Sequence, residues 1–234
     1  MIKFFRRIRY NLMEKGKTGK YVKYAIGEIV LVVIGILIAL SINNWNEEWS
    51  LKKAEANFYR NTKQQLLDDA NNIASELEYN SAYMKQFSYA IKLIRLNDRS
   101  KKDSLGKIAA NLINYSDFDG QGNIYETMVN SGDVKLLRNP AIIEKIRRLE
   151  ETYYYLNRME AIHFDAVMSM IPEIIENVRL STNKVQNEDY LYGFVFENLF
   201  VITHSITFEK DEVYSRIINE IDIIVQLIDN ELNQ

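Results

Sequence analysis

The segment most suited to chemistry in this sequence is Glu160-Ala-Ile-His163. A spacing of three residues places both side chains on one face of a helix, as the carboxylate-bridged dimetal sites of helical bundles require. Such a site also needs a second Glu-x-x-His motif, but the other histidine, His204, is preceded three residues earlier by Val201. Glu160 and His163 are therefore the metal candidates of this chain, and a hydrogen-bonded pair inside a helical bundle is the favoured interpretation.

The other patterns that carry catalysis or cofactors are incomplete. The chain has no cysteine, which excludes disulfides, thiolate catalysis and cysteine-based metal sites. The segment DFDGQGN, residues 117–123, lacks the alternating acidic ligands of a calcium loop and the Lys-Ser/Thr of a phosphate loop. No nucleophile elbow surrounds a serine, and the two histidines show no spacing typical of haem ligation. We predict no catalytic residue and no cofactor.

The element that must position everything else is the apolar segment Ala25 to Ile42, whose only ionisable residue is Glu28. A helix rises about 1.5 Å per residue and the hydrocarbon core of a bilayer is about 30 Å thick, so about 20 apolar residues cross it. Residues 24–45 have this length and are predicted to form a transmembrane helix. Aromatic side chains at both ends are the expected interface anchors: Tyr21, Tyr24, Trp45 and Trp49.

The charges on the two sides of this segment predict its orientation. Eight lysines and arginines precede it with only Glu14 as a counter-charge, whereas the first charges after it are Glu47 and Glu48. Positive charge stays in the cytoplasm. We therefore predict a bacterial inner-membrane protein with a basic cytoplasmic segment over residues 1–23, which could form an amphipathic helix, and a periplasmic domain over residues 46–234.

Two alternatives to this topology exist. Ala39-Leu40-Ser41 could be cleaved as the end of a signal peptide, although the apolar run and the basic segment before it are long for one. Residues 190–206 could form a second span, but the run is short and contains Glu197 and Asn198. A buried bundle helix is the favoured interpretation of this second run.

One face of the predicted span favours helix association. Glu28, Gly35 and Ala39 share this face, and the small pair Gly35 and Ala39 lets two helices approach closely. This pattern predicts a homodimer through the span. An intramembrane carboxylate can mark a functional site, but Glu28 lies close to the inner interface, where it can meet Lys20 or Lys23.

The remainder of the chain is predicted to be all-α. Proline and glycine are few, at 2 and 9 residues, and apolar residues recur at steps of three and four. We predict a long helix after Trp49, a loop over 97–104 and a helix that begins with Asn139 as N-cap and Pro140 as first residue. Pro172 is expected to kink or divide this helix, and Thr207 to begin the last one.

Residues 20–48 (KYVKYAIGEIVLVVIGILIALSINNWNEE) are similar to the N-terminal signature of a family of uncharacterised single-span proteins of Gram-negative bacteria. The segment Tyr125 to Tyr155 more weakly resembles the central pattern of that family, in which a Ser-Gly pair precedes a helix that ends in tyrosines. The resemblance implies a membrane-anchored, helical, extracytoplasmic protein. It implies no catalytic residues.

The net charge of the predicted periplasmic domain limits the classes of partner that it can bind. Residues 50–234 contain 21 basic and 28 acidic residues, a net charge of −7, which argues against nucleic acid. The expected partners are the lipid bilayer, a second copy of the chain and a protein of the cell envelope. We predict a non-enzymatic sensing, scaffolding or interaction protein. The alternatives are a metal-binding protein or enzyme that uses Glu160 and His163, and an envelope-stress or toxin-like membrane protein.

Overall fold

A computed structural model describes Tyr10 and residues 18–118 and 123–233, without the side chains of residues 18, 20, 21 and 24. The described part of the chain is almost entirely helical, which confirms the all-α prediction. Its helices are α1 (Thr18–Arg95), α2 (Lys102–Ala110), α3 (Ile124–Ser131), α4 (Pro140–Asn177), α5 (Glu188–Leu191) and α6 (Phe194–Leu232). Short 3₁₀ turns cover Arg99–Lys101, Asn111–Ile113 and Asp133–Lys135.

The chain divides into two compact units, Met1–Glu55 and Ala56–Gln234. The described part of the first unit is dominated by helix α1. An apolar window of this helix has a mean hydropathy of 2.8, and none of it is buried. By length and composition, α1 is the one helix among the described residues that could cross a membrane. The amphipathic helix predicted within residues 1–23 falls largely outside the described residues.

The second unit is built around two apolar clusters. In cluster 1, residues 59–73 of α1 pack with residues 142–159 of α4 and residues 213–228 of α6. In cluster 2, residues 87–94 of α1 pack with residues 170–174 of α4 and residues 196–200 of α6. Residue numbers rise from cluster 1 to cluster 2 in α1 and α4 and fall in α6. The unit is therefore a three-helix bundle in which α6 runs antiparallel to the other two long helices.

The ends of the helices follow capping chemistry. Asn139 accepts a hydrogen bond from the Ala141 amide at 2.9 Å, and Pro140 is the first residue of α4, as predicted. Gly132 closes α3 with φ of 81°, a left-handed conformation that glycine adopts without a steric penalty. Asp98 caps the 3₁₀ turn that follows α1 by accepting from the Ser100 amide at 3.2 Å.

Two boundary predictions were wrong. Of the two effects expected of Pro172, a kink or a division of the helix, division does not occur, because α4 continues to Asn177. Burial of Met170 and Ile174 in cluster 2 offsets the cost of about 3 kcal/mol for an interior proline. Thr207 does not begin α6, because its hydroxyl donates to the Thr203 carbonyl at 2.8 Å inside a helix that begins at Phe194. The predicted loop over 97–104 is shorter, since α2 begins at Lys102.

A small hairpin after α4 was not predicted. Strands β1 (Val178–Arg179) and β2 (Lys184–Val185) pair antiparallel, with Val178 opposite Val185. Asn183 in the connecting turn has φ of 55°, a conformation that asparagine tolerates better than most residues. The hairpin packs closely against α2. A Cβ added at Gly106 would come within 2.7 Å of the Asn183 carbonyl oxygen.

Candidate functional site

A layer of buried polar side chains lies between the two apolar clusters. We call it the polar layer and define it by five residues that are no more than 5% exposed: Asn80, Ser116, Glu160, His163 and Lys210. Glu160 and His163 belong to the seam of α4 that also holds Leu156 and Val167, so the sequence register placed them correctly. Lys210 comes from α6 and is fully buried.

Glu160 holds the segment after α2 to the bundle. Its Oε1 accepts hydrogen bonds from the Phe118 amide at 2.9 Å and from the Tyr214 hydroxyl at 2.6 Å. Burial raises the pKa of this carboxyl, and the two hydrogen bonds and the charge of Lys210 oppose the increase. Tyr214 in turn has a raised pKa because it is buried and donates to Glu160. The pair is therefore a carboxyl–phenol contact that links α4 to α6.

Lys210 and His163 form the second contact of the polar layer. The Lys210 ammonium donates to the Ser116 carbonyl at 2.5 Å and lies 3.1 Å from His163 Nδ1. Burial lowers the pKa of Lys210 to about 8, although four neighbouring carboxyl groups oppose this: Glu160, Asp211, Asp117 and Glu76. Burial and the nearby Lys210 lower the pKa of His163 to about 4. At neutral pH the lysine is charged and the imidazole is neutral.

This arrangement assigns the histidine tautomer. Because the ammonium of Lys210 can only donate, His163 Nδ1 is the acceptor and Nε2 carries the proton. That Nε2 is buried without a hydrogen-bond partner among the described residues. The predicted direct pairing of Glu160 with His163 is replaced by two separate contacts, one to Tyr214 and one to Lys210.

The geometry does not favour a metal ion at Glu160 and His163. The lone pair on His163 Nδ1 is directed at an ammonium group, and the proton on Nε2 blocks the other nitrogen. Among the residues that the structure describes, no group of three or more His, Asp or Glu side chains is placed to hold a metal. His204 lines a different, smaller cavity of about 240 Å³ with Ser88 and Ile91.

An open cleft adjoins the polar layer on the surface of α4. It has a volume of about 490 Å³, and we call it the α4 cleft. Three aromatic and three acidic side chains line it, together with Asn157 and Ala161: Tyr115, Phe118, Phe164, Asp117, Glu160 and Asp165. Tyr115 packs edge-on against both Phe164 and His163, with ring centroids 5.7 Å and 5.9 Å apart. Glu160 is thus shared between the buried layer and the cleft.

Most of the residues predicted to lie in the membrane or at its interfaces are exposed on α1. Gly35 and Ala39 are exposed on α1, and a Cβ added at Gly35 would meet no atom within 4 Å. Glu28 is partly exposed. Trp45 and Trp49 are 71% and 58% exposed, with Lys53 Nζ 5.3 Å from the Trp49 ring. The side chains of Tyr21 and Tyr24 lie outside the described residues.

Sequence reasoning missed Lys210, Tyr214 and the segment 115–118 as members of the site. The four-residue step from Lys210 to Tyr214 places both on one face of α6, and a lysine at an otherwise apolar register position was the available signal. No sequence pattern predicted that residues 115–118 would pack against Glu160, because a loop in this position has no periodicity.

One of three comparisons with known proteins gave a match. A family model described as "Family of unknown function (DUF6090)" matches residues 28–206. No curated protein and no solved structure matches the chain. The match covers about three quarters of the sequence, including most of the apolar segment (residues 28–42), the polar layer residue Glu160 and the residues that line the α4 cleft. The chain therefore belongs to this family of unknown function.

Proposed function

We propose that the protein is anchored in the bacterial inner membrane by one helix and that its helical bundle acts in the periplasm as a sensing or interaction module. The observation that carries the proposal is the apolar surface of α1. Its side chains from Ile29 to Ile38 are all exposed, from 47% at Val33 to 67% at Leu31. In water this would be a larger contiguous apolar patch than monomeric proteins tolerate. A lipid bilayer supplies the missing apolar surroundings.

The orientation rests on the charges that flank this surface. The eight basic residues before it favour a cytoplasmic N-terminus, and the acidic character of residues 50–234 suits a domain without a nucleic-acid partner. Trp45 and Trp49 would lie at the outer interface, where the indole rings meet the lipid head groups. The cation–π contact of Lys53 with Trp49 is consistent with this boundary.

The bundle offers features of an interaction module rather than of an enzyme. In its polar layer, Glu160 and Lys210 make hydrogen bonds that join the bundle's own elements, and Lys210 is fully buried. The α4 cleft is the part of this region that a ligand can enter. An envelope protein or a small periplasmic molecule is the expected partner.

We further propose that two copies associate through the span. Glu28, Gly35 and Ala39 share a face, and the open space around Gly35 leaves room for a second helix. Gly35→Ile should abolish crosslinking between spans, whereas Gly27→Ile, about 80° away around the helix, should preserve it. Equal crosslinking of both variants would exclude this dimer.

The topology is tested with reporters fused to Gln234. One reporter is active only in the periplasm and the other only in the cytoplasm, and each fusion is sized by immunoblot. The proposal predicts periplasmic activity from a full-length chain. Cytoplasmic activity would contradict it. A shortened product that becomes full-length in Ala39→Leu/Ser41→Leu would show instead that the N-terminal segment is a cleaved signal peptide.

A further inference from the structure

We propose that the α4 cleft binds a small organic cation, with its ammonium groups at the acidic side chains and its hydrocarbon part against the aromatic rings. This inference names the ligand class for the proposed sensing role and rests on the proposed function. The cleft lies entirely within the second unit, and its volume of about 490 Å³ is in the range of small-molecule sites.

The charge of the cleft selects a cation. Asp117, Glu160 and Asp165 line it, and no lysine, arginine or histidine does so among the described residues. The charge of Lys210 acts on Glu160 and Asp117 of the cleft, and also on Asp211 and Glu76 outside it. Although burial raises the pKa of Glu160, the exposed carboxyl groups of Asp117 and Asp165 leave an excess of negative charge at the cleft.

The aromatic side chains select an organic cation over a metal ion. Phe164 is 41% exposed in the cleft, and the edge-on contact with Tyr115 fixes its orientation. Phe118, which is 4% exposed, packs against Tyr153 with 5.7 Å between the ring centroids and forms part of the apolar lining of the cleft. Such rings attract alkylammonium groups through cation–π interaction and cover a hydrocarbon chain. Aromatic rings supply no ligand to Ca²⁺ or Mg²⁺, which are coordinated by oxygen atoms.

Glu160 is the fixed anchor of the site. Its two hydrogen bonds, from Phe118 and Tyr214, both end on Oε1, so Oε2 takes part in neither of them. The side chain is 5% exposed, and the contacts on Oε1 prevent it from turning away. Asp117 and Asp165 are exposed at the rim and can adapt to ligands of different length. This combination of one fixed and two exposed carboxylates suits a family of amines rather than a single one.

The inference is tested on the full chain purified in detergent micelles, by calorimetric titration with cadaverine, agmatine and tyramine. At least one of the three should bind saturably, and added salt should weaken the binding. Pentanediol, the uncharged analogue of cadaverine, should not bind. The variant Asp117→Asn/Asp165→Asn should bind about tenfold more weakly, as expected for two solvent-exposed ion pairs.

The matched control is Asp103→Asn/Asp222→Asn, which removes the same charge from exposed positions outside the cleft and should bind like the unaltered chain. Absence of saturable binding for all three amines would overturn the inference. Equal binding of pentanediol, or equal weakening in both double variants, would overturn it as well. None of these results bears on membrane anchoring, which the reporter fusions test separately.

Discussion

Replacement of Glu160 by leucine tests whether this carboxylate holds the bundle together. In the unaltered chain, Oε1 accepts from the Phe118 amide and the Tyr214 hydroxyl. Leucine has a similar volume but no acceptor, so both donors would be left buried without a hydrogen-bond partner. Each unsatisfied buried donor costs about 1–3 kcal/mol, and the apolar burial of leucine returns about 2 kcal/mol. With a central value of about 2 kcal/mol for each donor, we expect a net loss of about 2 kcal/mol.

The assay is thermal unfolding of the full chain in detergent micelles, followed by far-UV circular dichroism at pH 7. For a chain of this size, a loss of about 2 kcal/mol lowers the Tm by about 4–8 °C. Glu160→Gln retains an oxygen that can accept both hydrogen bonds and should lower the Tm less. Glu151→Gln changes an exposed glutamate on the same helix and should leave the Tm nearly unchanged.

A second substitution, Tyr214→Phe, tests whether Glu160 is the acceptor of the Tyr214 hydroxyl. Tyr214→Phe alone removes a hydrogen bond to a buried carboxyl and should lower the Tm. In the Glu160→Leu background the same substitution removes an orphaned hydroxyl, so it should raise the Tm. If Tyr214→Phe lowers the Tm equally in both backgrounds, the hydroxyl is satisfied elsewhere and the reasoning about Glu160 is wrong.

Two further predictions follow from the polar layer and the hairpin. Because the pKa of Lys210 is lowered to about 8, the unfolded chain binds more protons than the folded chain from about pH 8 up to the ordinary lysine pKa of 10.5. The free energy of unfolding should therefore rise by about 1–2 kcal/mol between about pH 8 and 9.5, and Lys210→Met should abolish the rise in urea titrations. Gly106→Ala should lower the Tm by about 2–8 °C, because the added Cβ would lie 2.7 Å from the Asn183 carbonyl oxygen. A higher Tm, from the better helix propensity of alanine, would mean that the hairpin does not pack against α2.

The sequence predicted the parts of the fold that depend on periodicity and capping. Ile142, Ile146 and Leu149 recur at helical spacing and are fully buried, and Asn139 with Pro140 marks the start of α4. The boundaries that failed involve residues with two roles. Thr207 is a good N-cap residue, but its hydroxyl can equally donate to the carbonyl four residues earlier, and tertiary packing decides between the two.

The candidate site was predicted only in part. The register of α4 placed Glu160 and His163 on the buried face, but their partners lie 42 to 54 residues away in the sequence, from Phe118 at 42 to Tyr214 at 54. No pattern of neighbouring residues predicts that α4 packs against the loop at residues 115–118, or against α6, which runs antiparallel to it. The metal hypothesis arose from spacing alone, and spacing could not reveal the contact between His163 and Lys210.

A single membrane anchor with the bundle outside the cytoplasm is the central proposal for this protein. The most direct test is protease treatment of spheroplasts, combined with alkaline carbonate extraction of the membranes. We predict that the intact chain stays with the membrane pellet and that protease degrades the bundle while a short N-terminal fragment remains. A chain that is released by carbonate, or that is cleaved only after the inner membrane is ruptured, would contradict the account.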